Sequence, residues 1–407
     1  MLQFIANFKE KGGNAMLALL IAPFYILLNI YVYIWLIRWM KACSKHFHKP
    51  VVKAIVIIIY SFFATSILTA FFLPSRILKY IANIWFGSVL YIILTIAIVD
   101  LIRVILKRLV KVDPQKLASR KLFVSVGALC IVTIITVSLY GAINARIIRT
   151  TNYEATIHKK VESMDSMKVV LIADLHLGYN KGYTHMKNMV REINKQDADL
   201  VVLAGDIFDN SYEAVEKPKE TEALLRGIKS KYGVYACWGN HDIEEPILAG
   251  FTFDQKGKKE ASDKMYEFLA NSNITLLQDK GTLINDSFYL YGRADKHRPG
   301  RGITTRKTPA QITASMDHSK PILIIDHEPG ELEELEAAGV DLDLAGHTHD
   351  GQMFPGNLTI KLMWENPYGL IKKGNMTEIT TSGVGVFGPN MRVATKAEIV
   401  SVDVSFQ

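Results

Sequence analysis

Four stretches without a charged residue dominate the first third of the chain: Ala15–Ile37, Ala54–Leu73, Tyr80–Ile98 and Leu122–Ala142, of 23, 20, 19 and 21 residues. A helix rises about 1.5 Å per residue and the hydrocarbon core of a bilayer is about 30 Å thick, so each is long enough to cross it. A cleaved signal sequence has an apolar run of about 7 to 15 residues, shorter than the first stretch, and three more stretches follow here. Helices of a large water-soluble core would not be so short of acids, since residues 1–142 hold only Glu10, Asp100 and Asp113. The sequence predicts a four-helix transmembrane region over 1–142, a linker over 143–166 and a second domain over 167–407.

Charge divides the same way. Of 47 basic and 40 acidic side chains, 16 and three fall in residues 1–142, which leaves 31 and 37 for the remainder. The second part is thus mildly acidic, and a nucleic-acid partner, which needs a basic face, is not expected. Three cysteines, Cys43, Cys130 and Cys237, are too few for a disulfide scaffold. The loops set an orientation. Arg38, Lys41, Lys45, Lys49 and Lys53 follow the first stretch, and Arg103, Lys107, Arg108, Lys111, Lys116, Arg120 and Lys121 precede the fourth. The loop between them carries Arg76 and Lys79, and the N-terminus Lys9 and Lys11. Lysine and arginine are retained on the cytoplasmic side, which places the second domain outside the cell membrane.

From Met167 the pattern changes. Val169–Ala173, Leu200–Ala204, Gly233–Trp238, Phe288–Tyr291, Ile322–Ile325 and Asp341–Ala345 read as short apolar strands. Helical periodicity runs through His185–Asn194, Tyr212–Lys229, Glu260–Ala270 and Glu331–Ala338. Alternation of this kind predicts an α/β domain.

Metal-type ligands stand where five of these strands end: Asp174 and His176, Gly205-Asp206, Gly239-Asn240-His241-Asp242, Asp326-His327, and Gly346-His347-Thr348-His349. Ligands bind at the carboxyl ends of strands in open α/β sheets. Carboxylate and amide oxygens mixed with imidazoles suit Mn, Fe or Zn, and their number exceeds the needs of one ion. An aspartate before a helix is often only an N-cap, but five ordered motifs are not explained that way.

The set D-x-H, G-D, G-N-H-D, a lone His and G-H-x-H resembles the calcineurin-like metallophosphoesterases, and the resemblance covers Met167–Phe406. It implies two facing β-sheets flanked by helices. It also implies two divalent metal ions, one held by Asp174, His176 and His349, the other by Asn240, His327 and His347, with Asp206 bridging. His241 matches the family's catalytic histidine, which stabilises the transition state and protonates the leaving oxygen, and Asp242 is expected to orient it. Gly-His-Thr-His followed by Gly351-Gln352 is similar to a branch reading G-H-T-H-G-G-Q, with Asp350 replacing the first of the following glycines. The expected function is a metal-dependent hydrolase acting on a phosphoester or pyrophosphate of an envelope or lipid-linked substrate. The competing expectation is a catalytically silent, metal-binding membrane sensor or assembly module, in which a degenerate site should lack some of the ligands. His158, His185 and His318 read as surface residues, and Arg293, Lys296, His297, Arg298, Arg301, Arg306 and Lys307 as a solvated loop or a phosphate-binding cluster.

Overall fold

The uncharged stretches form the bulk of four longer helices, α1 (Gly13–Cys43), α2 (Pro50–Phe72, with Leu73 as its C-cap), α3 (Arg76–Arg108) and α4 (Arg120–Asn144). All four are long and apolar enough to cross a membrane. The computed structural model describes residues 13–73, 75–245, 247–248, 251–252, 261–296, 298, 303 and 305–407; Lys9, Lys11, Glu260, His297 and Arg301 lie outside the described residues. Large apolar side chains face outward on these helices, Phe24, Ile58, Ile77 and Leu129 among them, as a lipid-facing surface requires. Inward, polar groups find one another. Trp85 Nε1 donates to Tyr25 Oη (2.9 Å), Tyr25 Oη to Ala64 O (2.7 Å), Tyr60 Oη to Asn29 Oδ1 (2.9 Å) and Trp39 Nε1 to Val124 O (3.0 Å). In hydrocarbon no water would replace these bonds.

The second unit holds two six-stranded mixed sheets. Its strands are β1 (Ile148–Ile157), β2 (Ser166–Ile172), β3 (Leu200–Ala204), β4 (Val234–Cys237), β7 (Ile274–Leu276), β8 (Lys280–Ile284), β9 (Phe288–Gly292), β10 (Ile322–Ile325), β11 (Leu342–Ala345), β12 (Gly369–Lys373), β13 (Met376–Thr380) and β14 (Ala397–Phe406). A two-stranded hairpin, β5 (Ile247–Leu248) and β6 (Phe251–Thr252), groups instead with the helices of the first unit. So do Gly388–Asn390, where the Asn390 N–H donates to Asn83 O in α3 (3.3 Å). The two sheets run β1-β14-β2-β3-β4-β7 and β12-β13-β11-β10-β9-β8.

Alternation along the strands builds three layers of core. Val169 and Leu171 of β2, Leu200 and Val202 of β3, Leu323 and Ile325 of β10 and Leu342 and Leu344 of β11 meet between the sheets. Val170, Ile172, Val201 and Leu203 point the other way, under α5 (Tyr183–Asn194), α6 (Pro218–Leu225) and α7 (Asp263–Asn271). Ile322 and Ile324 pack under α8 (Pro309–Thr313) and α9 (Leu332–Ala337). Central parallel strands covered on both faces read as unbroken apolar runs, which is why they were visible in the sequence. With β2, β3 and β4 parallel in one sheet and β9, β10 and β11 parallel in the other, their carboxyl ends deliver loops to a common edge in each.

Two expectations are corrected here. Residues 148–157, placed in the linker, form strand β1, paired with β14 from Ile148↔Ala397 to Ile157↔Phe406. Its alternation Ile-Arg-Thr-Thr-Asn-Tyr-Glu-Ala-Thr-Ile carries too few apolar residues to announce a strand, because one face stays half-exposed. The expected helix Tyr212–Lys229 is broken into a 3₁₀ turn, Tyr212–Ala214, and α6, which starts at Pro218 because proline lacks the N–H an interior helical position needs.

The pairing of β1 makes a test. A soluble fragment beginning at Met167 exposes the long edge of β14 and should aggregate, whereas one beginning at Ile143 should be monodisperse by light scattering. Equal behaviour of both would deny β1 its protective role.

Candidate metal centre

The first two motif loops prolong the β2–β3 ladder past the ends of the strands. Asp174 N–H donates to Gly205 O (3.0 Å), His176 N–H to Asp206 O (3.0 Å) and Leu177 N–H to Ile207 O (2.9 Å). In the other sheet, Asp326 N–H donates to Leu344 O and Gly346 N–H to His327 O, both at 3.1 Å. The backbone at the ligands is strained. Asp174, His176, Asp206, His347 and His349 all have φ between 45° and 71°, in the left-handed region that costs a non-glycine residue on the order of 1–3 kcal/mol. Glycines supply the clearance: a Cβ on Gly239 would stand 2.5 Å from Asp206 N and 2.9 Å from His327 Cδ2. Asp350, where the related motif has glycine, takes φ 52° and ψ 34°, a conformation that aspartate tolerates better than most residues, and its N–H donates to Thr348 Oγ1 at 3.2 Å.

These loops bring all seven expected ligands together. Asp174, His176 and His349 form one group able to hold an ion, and Asp174, Asp206 and His327 a second. His176 Nε2 lies 3.1 Å from His349 Nε2, and His349 Nε2 lies 3.6 Å from Asp174 Oδ1. On the other side Asn240 Oδ1 is 3.0 Å from both His327 Nε2 and His347 Nδ1, which are themselves 3.2 Å apart. Asp206 sits between. Its Oδ1 accepts the His241 N–H (2.8 Å), while Oδ2 lies 3.6 Å from His176 Nε2 and 3.2 Å from His327 Nε2. The resemblance to the metallophosphoesterases implies that Asp206 bridges two ions. Here one oxygen is committed to the backbone, and the other alone faces both groups.

Electrostatics supports a cation. Asp174 and Asp206 are fully buried, 0% and 1% exposed. Burial raises the Asp174 carboxyl to about 6, with Asp206 adding to the rise and His327 and His176 opposing it. Burial would raise Asp206 too, but His327 and His241 outweigh it and hold the carboxyl well below the usual range. Burial opposes charge on His327, yet the Asp206 carboxylate outweighs that and pushes the imidazole well up. The Asp206 carboxylate and the His327 imidazole thus favour one another's charged forms, a balance that a divalent cation at the same atoms would also supply. Oxygen and imidazole donors crowded this way fit Mn, Fe or Zn. The buried Cys237 thiol, pushed well up by burial, is in neither group.

His241 has a different partner from the one expected. Asp242 is buried with Oδ1 accepting the Phe208 N–H (2.8 Å) and Oδ2 the Gly239 N–H (2.7 Å), so it braces the loop. Asn210 Oδ1 meets His241 Nδ1 instead. Burial drives the His241 imidazole down to about 4, with Asp206 opposing. The Phe387 ring packs on His241 at 4.3 Å between centroids, held by Gln352, whose Oε1 accepts the Phe387 N–H (2.9 Å) and whose Nε2 donates to Phe387 O (3.0 Å). Asp209 Oδ1 stands 3.4 Å from His176 Nδ1. Asp209 and Asn210 follow Asp206 by three and four residues, a carboxylate and an amide that the motif loop could have betrayed. Phe387 carried no signal.

Other expectations divide. His158 and His318 are exposed, but His185 is 8% exposed and its Nε2 lies 3.0 Å from Val384 O. The basic loop is not simply solvated. Arg293 is fully buried against Asp326 (2.6 Å) and Glu331, and Arg306 reaches Asp326 (3.2 Å) and Glu331 (2.8 Å). Arg298 approaches the centre, its Nη1 2.7 Å from Glu245 Oε2 and 3.4 Å from Asn240 O.

Residues 167–351 match the family described as calcineurin-like phosphoesterase. This part of the chain is thus similar to the calcineurin-like phosphoesterases, and four helices apolar enough to span a membrane precede it. Among its relatives is a transmembrane protein with metallophosphoesterase domain from Danio rerio, 30% identical over 300 residues, 71% of this chain and 64% of that one. This chain thus spans less than two thirds of that relative. An uncharacterized metallophosphoesterase of Campylobacter jejuni is 26% identical over 398 residues, 94% of this chain and 97% of the relative. UDP-2,3-diacylglucosamine pyrophosphatase LpxG of Chlamydia trachomatis is 22% identical over 292 residues, 60% of this chain and 86% of the relative.

Proposed function

We propose that this protein is a membrane-anchored phosphoesterase dependent on two divalent metal ions, hydrolysing a phosphoester or pyrophosphate of an envelope or lipid-linked molecule. The carrying observation is that all seven donors, from loops at the ends of two facing sheets, converge, with Asp206 Oδ2 3.6 Å from His176 Nε2 and 3.2 Å from His327 Nε2. Asp174, His176 and His349 would hold one ion, Asn240, His327 and His347 the other, with Asp206 shared. Two ions held there would supply hydroxide near neutral pH and neutralise charge on the phosphoryl oxygens.

The chain's own groups do the rest. Asn240, His241 and His347 are partly exposed, which leaves that side of the centre open to a phosphoryl group. His241 is the proposed catalytic residue. Asn210 fixes its Nδ1 and Phe387 its ring plane, so Nε2 can donate to the leaving oxygen once the substrate's negative charge favours the imidazolium. Arg298 stands beside Asn240, placed to meet a second phosphate oxygen.

The lipid-linked reading draws support from the name of the chlamydial relative, which gives a pyrophosphatase acting on a diacylated sugar nucleotide. We place the division between membrane region and catalytic domain after Ala142, and the catalytic domain on the extracytoplasmic side, from the loop charges.

Two experiments test this. In the full-length protein with added Mn, His241→Ala should keep bound metal and lose about 10²- to 10⁴-fold in kcat. The loss should be larger for an alkyl phosphoester than for an aryl one, whose leaving group needs no proton; equal losses on both would remove the acid role. For topology, protease added to intact spheroplasts of an expressing host should release a fragment containing His347 and His349. A fragment protected until the membrane is opened would put the domain in the cytoplasm.

A further inference from the structure

The geometry points to Arg392 as a positioning residue for His349, itself held in place by Asn144 at the end of α4. This rests on the reading of His349 as a metal ligand. Arg392 is fully buried, and its guanidinium divides its donors between two tasks. Nε and Nη2 donate to Gly385 O (3.2 and 2.9 Å), and Nη2 also to Gly383 O (3.2 Å) and Ser382 O. These bonds satisfy carbonyls of the loop that leads to Phe387 and would serve any buried turn. The guanidinium also reaches His349: Nη1 donates to its backbone O at 3.2 Å. The ring nitrogen that faces Asp174 and His176 is Nε2, so as a ligand His349 keeps its ring hydrogen on Nδ1, and the hold of Arg392 is on the carbonyl. Because His349 is held in the left-handed region at φ 52°, a donor fixed on its carbonyl keeps the strained ligand aimed.

Arg392 is fixed in turn by the residue that ends α4. The side chain of Asn144, the last residue of α4, is buried, and its Nδ2 donates to Arg392 O (3.0 Å) and Thr395 O (2.9 Å). The next carbonyl, Ala145 O, accepts from Lys181, which is 2% exposed. Thr395 Oγ1 donates to Gln352 O (2.6 Å), and the Val393 N–H to the same oxygen (3.2 Å), tying this strip to the segment just after His349. An unbroken path of hydrogen bonds thus runs from the end of the last spanning helix to one proposed metal ligand. Lysine cannot replace this arginine without loss, since one ammonium cannot reach the loop carbonyls and His349 O together.

The test uses the full-length protein in detergent and free Mn, titrated by electron paramagnetic resonance, with thermal unfolding as the check on folding. Arg392→Met should weaken one of two Mn sites by roughly 10- to 100-fold, the range for partners that orient metal ligands, with activity recovered at high Mn. Arg392→Lys should recover part of that affinity. Asn144→Ala, which leaves the guanidinium intact, should weaken the same site in the same direction by less, and it carries the test alone if Arg392→Met does not fold. A wild-type chain that binds no Mn would refute the metal reading itself. A wild type with two sites, beside a folded Asn144→Ala or Arg392→Met with unchanged Mn affinity, would overturn the positioning role.

Discussion

The buried Asp206 carboxylate is the interaction on which the centre depends. Its two oxygens do different work: one accepts the backbone N–H of His241, and the other lies between His176 and His327. That division ties the G-D loop to the G-N-H-D loop and sets both proposed metal groups about one atom. A negative charge at this depth is tolerated only because imidazoles surround it, and those imidazoles stand on loops from both sheets. The apolar packing between the sheets therefore determines the geometry of the chemistry, although no core residue takes part in it.

Around the centre the fold accepts strain and buried charge together. Five ligand positions hold left-handed backbone without glycine, and the loops that carry them are braced by side chains spent on the backbone: Asp242 on Phe208 and Gly239, Gln352 on Phe387, Arg392 on the carbonyls of residues 382, 383 and 385. Beside His327, Asp326 anchors Arg293 and Arg306, which also clamp Glu331. Burial would raise the Glu331 carboxyl, but the two guanidinium groups outweigh it and hold it down at about 2. Such pairs are costly to form and costlier to break singly, which makes them devices for fixing one conformation.

What the sequence disclosed follows from its physics. Strands β3 and β10 were legible to the residue because both faces are buried and every position is apolar. Strands β1 and β12 were not, since partly exposed strands mix polar and apolar residues, and β14 was hidden by the serines and acids among its valines. The seven metal-type residues were legible because carboxylates and histidines at strand ends have few other uses. Their supports were not. Asn210, Phe387 and Arg392 are chosen by distances across the fold, and adjacency in sequence misdirected the choice of Asp242 as the partner of His241. His185 and Arg293 looked like surface residues because the groups that satisfy them, Val384 O, Asp326 and Glu331, are remote in the chain.

The central claim is a pair of cations sharing the Asp206 carboxylate. Electron paramagnetic resonance of the intact protein loaded with Mn tests it most directly, because two Mn ions about 3.5 to 4 Å apart must be magnetically coupled. The account predicts a coupled-pair spectrum at two ions per chain, replaced by the spectrum of isolated ions when Asp206 is changed to Asn. A wild-type protein that shows only isolated Mn at saturation would contradict it.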